Sequence, residues 1–454
     1  MNETTTLRSE IPRLARLAGP IMLTQLTMMS LGVVDLLMVG QVGVDAVAAV
    51  SLGNIAKFGT IMIAMGLVVG IDPFLAQAHG ARDARGLALG LQRGVVLALL
   101  SSVPVIVLWQ FVEQFLVATR QDPEVARIAQ QYVQVQSPSV PLFLVYTAQR
   151  QYLQGRGILR PALLVALAAN VLNVALNQLF IFGGMGIPAL GAVGSGIATS
   201  IVQASMPLMM YGLMRSQRLC EGAWQPWSRA ALDVAELRKI LAVGVPIGLH
   251  FAAEIWGFQI AGLWAGWLGK AELAANSIVL NLASISFMLP LGVGLGSVTR
   301  IGNLVGAGRQ REAQVSAWAA LALGAGLMAV CALVFLVARE PLARAYSKDA
   351  VVIALAASTL PVAAAFQLFD GLQVVASGVL RAIGRTKPTA LANLVGYYVI
   401  GLPLGYHLAF KRELGLAGLW WGVAAGVAVV AVTLVAWIAV RGPATARPID
   451  AQEA

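Results

Sequence analysis

Three acidic residues, Asp35, Glu254 and Asp370, stand inside stretches that are otherwise apolar. An ionisable side chain in a bilayer costs roughly 2.5–3.5 kcal/mol on insertion scales, so three charged acids together cost on the order of 8–10 kcal/mol. Carboxylates kept at such a cost are suited to one task, binding and releasing something positive. The competing reading is an acid at a helix end that reaches the headgroups, and Asp35, near the outer end of its span, is most open to it. Asn170, Asn173 and Asn177 are spaced i, i+3 and i+7 and so share one helical face. That stripe must face protein or water, and plain interhelical hydrogen bonding competes with a role in a pocket. His250 lies one turn before Glu254, close enough to share its proton, although a lone His in a membrane helix more often only packs. Lys57 stands among apolar and small neighbours; it either pairs with a carboxylate, Asp35 first, or sits neutral. Gln259, Asn276 and Asn281 are candidate cavity liners. Tyr397 and Trp256 offer aromatic faces to a cation, while most other aromatics read as an interfacial belt.

The elements that must position these groups are membrane helices. The chain has 454 residues, 58% hydrophobic and 11% charged, with a mean hydropathy of +0.78. A soluble domain carries about 25% charged residues. Apolar runs of about 20 residues match the hydrocarbon thickness of a bilayer. They fall near 17–39, 44–70, 90–112, 128–149, 161–182 and 191–214, then 240–265, 272–299, 314–338, 352–380, 388–410 and 416–440. The expected fold class is therefore an all-α membrane protein of twelve transmembrane helices. With a cytoplasmic N-terminus, 22 of the 31 Lys and Arg residues lie on the inner side and 8 on the outer. By the positive-inside rule both termini are cytoplasmic. Topology thus accounts for the net charge of +10, and no nucleic-acid partner is expected. Residues 1–16 are polar and lead straight into a full-length span, so no cleavable signal is expected. Two cysteines, Cys220 and Cys331, fit neither a metal site nor a disulfide framework.

The chain repeats itself. A shift of 226 positions superimposes Pro20 on Pro246, Gly40 on Gly266, Gly66 on Gly292, Gly70 on Gly296, Gly80 on Gly306 and Arg85 on Arg311. Later, Pro161 meets Pro388 at a shift of 227. Six spans separate the copies, so both insert in the same direction. The expectation is two six-helix lobes related by a pseudo-two-fold along the membrane normal, a transporter design with the substrate site between the halves. The lobes are placed at 1–214 and 240–454, joined by a cytoplasmic linker at 215–239.

Ordered motifs now support a resemblance over essentially the whole chain. They are Pro20, Asp35, Gly40 and the Ala-Ala-Val-Ser run at 48–51; Gly66, Gln77 and Gly80; and Asn173 and Asn177 leading into Gly191–Gly196. The second half adds Pro246, Glu254, the Pro290–Gly296 run, Arg300, Phe369-Asp370-Gly371-Leu372-Gln373 and Ser377–Arg381. The sequence resembles the multidrug and toxic compound extrusion (MATE) transporters, NorM-like branch. The resemblance implies two lobes forming a V around a cavity, alternating access, and export of small organic cations in exchange for Na⁺ or H⁺. It implies that Glu254 and Asp370 handle the coupling ion, with a transported Na⁺ as the only metal, and that Asp35, Asn173 and Asn177 form a first-lobe polar pocket. Archaeal and related members carry a second Asp at the position of Asn177, and Lys57 also departs from the family pattern. No cofactor is expected, and the protein is expected to work as a monomer in a bacterial inner membrane. Met28, Met29, Met62, Met65 and Met288 would give adaptable walls and broad specificity. The alternative is a flippase for lipid-linked saccharides of a related two-lobed design, which would call for an Arg-lined cavity. An enzyme is not expected, because His79, His250 and His407 show no metal spacing and no activated nucleophile is evident.

Overall fold

The computed structural model describes residues 6–184, 186–221 and 225–449. In chain order the helices are α1 (Leu7–Val39), α2 (Val44–Val69), α3 (Asp72–Gly80), α4 (Ala84–Trp109), α5 (Val112–Ala118) and α6 (Pro123–Gln134). They continue with α7 (Val140–Gly155), α8 (Arg160–Ile181), α9 (Gly191–Ser216), α10 (Val234–Leu268), α11 (Lys270–Gly306) and α12 (Gln310–Val337). The last are α13 (Arg339–Tyr346), α14 (Ala350–Ala382), α15 (Lys387–Leu394), α16 (Leu402–Tyr406) and α17 (Gly415–Arg441). The described residues contain no strand beyond one isolated bridge, Gly184 to Ile187.

Among the described residues, ten helical runs are long and apolar enough to cross a membrane. The stretches expected to span at 128–149 and 388–410 are also helical, but broken. In the first, α6 and α7 are separated by a short 3₁₀ turn at Ser137–Ser139, where Pro138 has no N–H to continue an α-helix. In the second, π-helical turns at Val395–Gly401 and His407–Lys411 flank α16, where Pro403 likewise removes a donor. The helices carry apolar faces that no protein covers, such as Leu99, Leu100, Val103, Val107 and Leu108 on α4 and Val330, Leu333, Val334 and Val337 on α12. Patches of this size are unfavourable in water and favourable against lipid tails.

Two compact units emerge, residues 23–248 and residues 1–22 with 249–454. Each boundary lies two residues beyond a proline inside a helix, Pro20 in α1 and Pro246 in α10. The leading part of α1 thus belongs with the second half of the chain, and the leading part of α10 with the first. Accordingly Leu14 and Ala18 join a core built from α11, α12, α14 and α17, while Ile240 joins the core of residues 39–214.

The repeat extends to individual contacts. In the first unit α2 crosses α10 so closely that a Cβ on Gly66 would lie 2.2 Å from Gly248 Cα, and one on Gly70 would lie 2.8 Å from Gly244 Cα. In the other unit α11 crosses α1 at the positions 226 further on or back, Gly292 against Met22 and Gly296 against Ala18. Small residues at a crossing let backbones approach, which is how helices gain contact where lipid offers no hydrophobic drive.

A carboxylate and its partner on the same helix follow the same register, while the arginine each meets on a neighbouring helix does not. Glu10, fully buried, accepts from Arg300 Nε at 2.9 Å, Arg300 Nη2 at 2.8 Å and Arg13 Nη1 at 2.7 Å. Its equivalent, Glu236, pairs with Arg93 at 3.0 Å and with Lys239, the equivalent of Arg13, at 3.0 Å. Each first helix is therefore tied by a carboxylate near its start to the unit it packs with.

Candidate functional site

Within residues 249–454, α10 and α14 carry Glu254 and Asp370. Asp370 is 2% exposed and close enough to Glu254 for their charges to repel. One carboxylate oxygen of Asp370, Oδ1, has no hydrogen-bond partner. Both amide atoms of Gln367, one turn before Asp370 on the same span, likewise have no partner among the described residues. Buried polar atoms are normally hydrogen-bonded, so these groups remain available to a further polar partner.

The other side of Glu254 is tightly specified. Asn393 of α15 accepts from Gln373 Nε2 at 3.0 Å and donates to the Thr389 carbonyl at 2.8 Å and to His250 Nδ1 at 2.8 Å. Both amide hydrogens of Asn393 are thereby used, and its orientation is fixed from two sides. With Nδ1 accepting, the neutral ring carries its proton on Nε2, which points at Glu254 Oε2 across 3.5 Å. His250 is thus oriented with Nε2 toward the carboxylate, at a distance longer than a typical hydrogen bond. Tyr397 is buried in the π-helical turn and stacks edge-on against Phe258. Its neighbour Tyr398 donates to the Ala253 carbonyl.

Within residues 23–248 the polar stripe of α8 faces α1 along its length. Asn173 Nδ2 and Asn177 Nδ2 donate to Asp35 Oδ1 at 2.9 and 2.6 Å, and Thr199 of α9 donates to Asp35 Oδ2 at 2.8 Å. Asn170, one turn earlier, instead bonds Ser30 and the Thr27 carbonyl of α1 and does not reach Asp35. Lys57 is buried. Its Nζ donates to Gln136 Oε1 at 2.9 Å and lies 5.2 Å from the Tyr132 ring centroid. It forms no direct ion pair with Asp35, but the two charges interact.

The remaining candidates separate. Gln259 is half-buried and makes no hydrogen bond within the described residues. Asn276 accepts from Trp420 Nε1, and Asn281 accepts from the exposed Tyr346 hydroxyl. Trp256 is 37% exposed. Sequence reasoning did not single out Thr199, Gln136, Asn393 or Gln367, although Gln367 precedes Asp370 by one turn on the same helix. It also missed Asp72, buried at the start of α3 and bonded by Gln151 at 2.8 Å. No cluster of three or more metal-ligating His, Cys, Asp or Glu side chains occurs among the described residues.

Long apolar helices with acidic side chains buried among them are the arrangement of a polytopic membrane transport protein. The MatE family model matches residues 20–179 and 246–407, two segments that start one repeat apart. The chain belongs to the MATE family of multidrug and toxin extrusion transporters. It is similar to the probable multidrug resistance protein NorM of Burkholderia pseudomallei, 34% identical over 438 residues, which cover 95% of this chain and 93% of the relative. It is also similar to multidrug and toxin extrusion protein 1 of Danio rerio, 32% identical over 91% of this chain and 70% of the relative. Among solved structures the eukaryotic MATE transporter AtDTX14 superimposes with a TM-score of 0.89 over 96% of this chain and 97% of that one, at 23% identity. At that identity the likeness speaks for the fold alone, the two-lobed helical fold of MATE transporters.

Proposed function

We propose that this protein exports small organic cations across a bacterial inner membrane, both termini cytoplasmic, in exchange for inward Na⁺ or H⁺. The coupling ion and the substrate compete for Glu254 and Asp370. The observation that carries this reading is the buried acid pair itself. Two carboxylates that repel each other, one with a free oxygen, are stabilised by any cation that enters. Broad cation specificity follows because charge rather than shape supplies the attraction. One charge moving inward yields about 2.3 kcal/mol per 100 mV, enough to sustain a useful outward gradient. An ion can favour the releasing conformation only through different affinities for the two states. The chain works as a monomer and as a transporter with no enzymatic step.

The test uses purified protein in vesicles loaded to set a Na⁺ or pH gradient, with ethidium as probe. Wild type should move ethidium against its gradient under one of the two. Glu254→Gln and Asp370→Asn should insert normally and lose efflux. Normal efflux by either variant refutes the role given to that residue.

A further inference from the structure

An imidazole beside a carboxylate presents either a proton or a lone pair, and the bond made by its far nitrogen decides which. For His250 that bond is to Asn393, which is fully buried and also bonds to α14. The Thr389 carbonyl, one turn back on α15, can only accept, so the Asn393 group 2.8 Å from it is the amide NH₂. The second hydrogen of that NH₂ meets His250 Nδ1 at 2.8 Å, and the amide oxygen accepts from Gln373 Nε2 at 3.0 Å. A turned-over amide would set oxygen against the Thr389 carbonyl oxygen and NH₂ against the Gln373 amide nitrogen. The backbone thus orients the amide, and the amide orients the ring.

The plane of the ring is set by Phe251, which meets it edge-on at 5.6 Å and is itself covered by the buried Arg381 guanidinium at 5.5 Å. The charged and titratable groups around the ring and its carboxylate are Glu254 on the same helix, Asp370 and Arg381 on α14, and Tyr397 and Tyr398 beyond α15. The frame shared by the two halves does not demand this arrangement. At the repeat shifts of 226 and 227, His250 corresponds to Thr24, Gln373 to Tyr146 and Asn393 to Ala166. The first half builds its equivalent helices without one member of the network.

We propose that Asn393 is a positioning residue for the acid site: it holds His250 as the tautomer protonated on Nε2, so that a donor and not a lone pair faces Glu254. At 3.5 Å the donor stands just beyond a normal hydrogen bond. A donor stabilises an empty carboxylate, which lowers the cost of releasing a bound cation. The effect on transport rests on the exporter reading above; the tautomer does not.

The experiment reads both. The protein has three histidines, so ¹⁵N-histidine labelling of the full chain gives few signals, and those of His250 are the ones lost in His250→Gln. Two-bond ¹H–¹⁵N couplings distinguish the protonated ring nitrogen from the bare one. In wild type the proton should favour Nε2 by about tenfold or more, the bias expected of one buried hydrogen bond. In Asn393→Asp a carboxylate accepts from the ring, and the proton should sit on Nδ1. Ethidium efflux in vesicles should fall about tenfold in Asn393→Asp, as when an outer partner of a functional His is lost. In a His250→Gln background the same change should cost less than about threefold, because an amide rotates to present a donor whichever partner stands behind it. A purely structural role for Asn393 would cost the same in both backgrounds. The proposal is overturned by a wild-type ring protonated on Nδ1, by an Asn393→Asp spectrum unchanged from wild type, or by equal efflux losses in the two backgrounds. The wild-type spectrum decides the matter if a variant fails to insert. Normal efflux by Glu254→Gln would remove the exporter reading and leave the tautomer result standing.

Discussion

Glu10→Gln and Glu236→Gln change equivalent residues of the two halves, and the structure predicts unequal costs. Glu10 is fully buried and accepts three charge-assisted hydrogen bonds. A Gln keeps the shape but turns an NH₂ toward a guanidinium, leaving Arg300 without its counter-charge. Breaking a buried pair on one side costs about 3–5 kcal/mol when the remaining charge stays dry. The Arg300 and Arg13 side chains are 22% and 42% exposed, so water recovers part of that. The loss should come to about 2–3 kcal/mol. Glu236 is 28% exposed and its partners Arg93 and Lys239 are 14% and 28% exposed. An exposed pair is worth about 0–1 kcal/mol, so this substitution should cost about 1 kcal/mol. Thermal unfolding of both variants in one detergent, followed by Trp fluorescence, reads the order. Glu10→Gln/Arg300→Met should recover much of the loss, since a neutral pair leaves no orphaned charge. If Glu236→Gln destabilises as much as Glu10→Gln, burial does not set the strength of these pairs and the reasoning fails.

Two further substitutions probe packing and the acid site. Gly66→Ala would place a Cβ 2.2 Å from the backbone of Gly248, where no side chain can yield, and should cost about 1–3 kcal/mol. Gly32→Ala in α1 meets nothing within 4 Å and should be neutral or stabilising by about 0.5–1 kcal/mol in the same unfolding assay. At His250, Gln can still donate toward Glu254 but cannot pass a proton through a ring, whereas Leu can do neither. Ethidium efflux should survive His250→Gln and fall in His250→Leu; equal loss in both would favour a proton relay over an oriented donor.

Much of this molecule is legible in its residues, and the remainder is hidden for identifiable reasons. Hydropathy reports which stretches cross the bilayer because lipid imposes a length and excludes charge. It is weakest at 128–149, where Gln130, Gln131, Gln134 and Gln136 dilute the signal, and at 388–410, where Pro403 and three glycines break the helix. The stripe of Asn170, Asn173 and Asn177 marks the side of α8 that faces α1, as spacing on one helix can. Spacing does not say that only the last two reach Asp35, because that depends on where along α1 each turn lands. Thr199, Gln136 and Asn393 come from separate elements, each among other polar residues from which its sequence position does not set it apart. Nothing local distinguishes them until tertiary packing brings them together.

The exchange of leading segments between halves is invisible to hydropathy for the same reason, yet it bears directly on coupling. Each acidic site lies inside one unit, Asp35 with its donors in residues 23–248 and Glu254 with Asp370 in residues 249–454. A rigid displacement of either unit would leave every hydrogen bond within these sites unchanged. An element that belongs to both units can change the geometry inside a site when the conformation changes. α1 and α10 are such elements, and they carry Asp35 and Glu254. Each has an internal proline two residues before it passes from one unit to the other, where the missing N–H and the ring clash weaken the helix locally. A cation drawn to Glu254 therefore acts on a helix whose far end is fixed elsewhere, by Glu236 to Arg93.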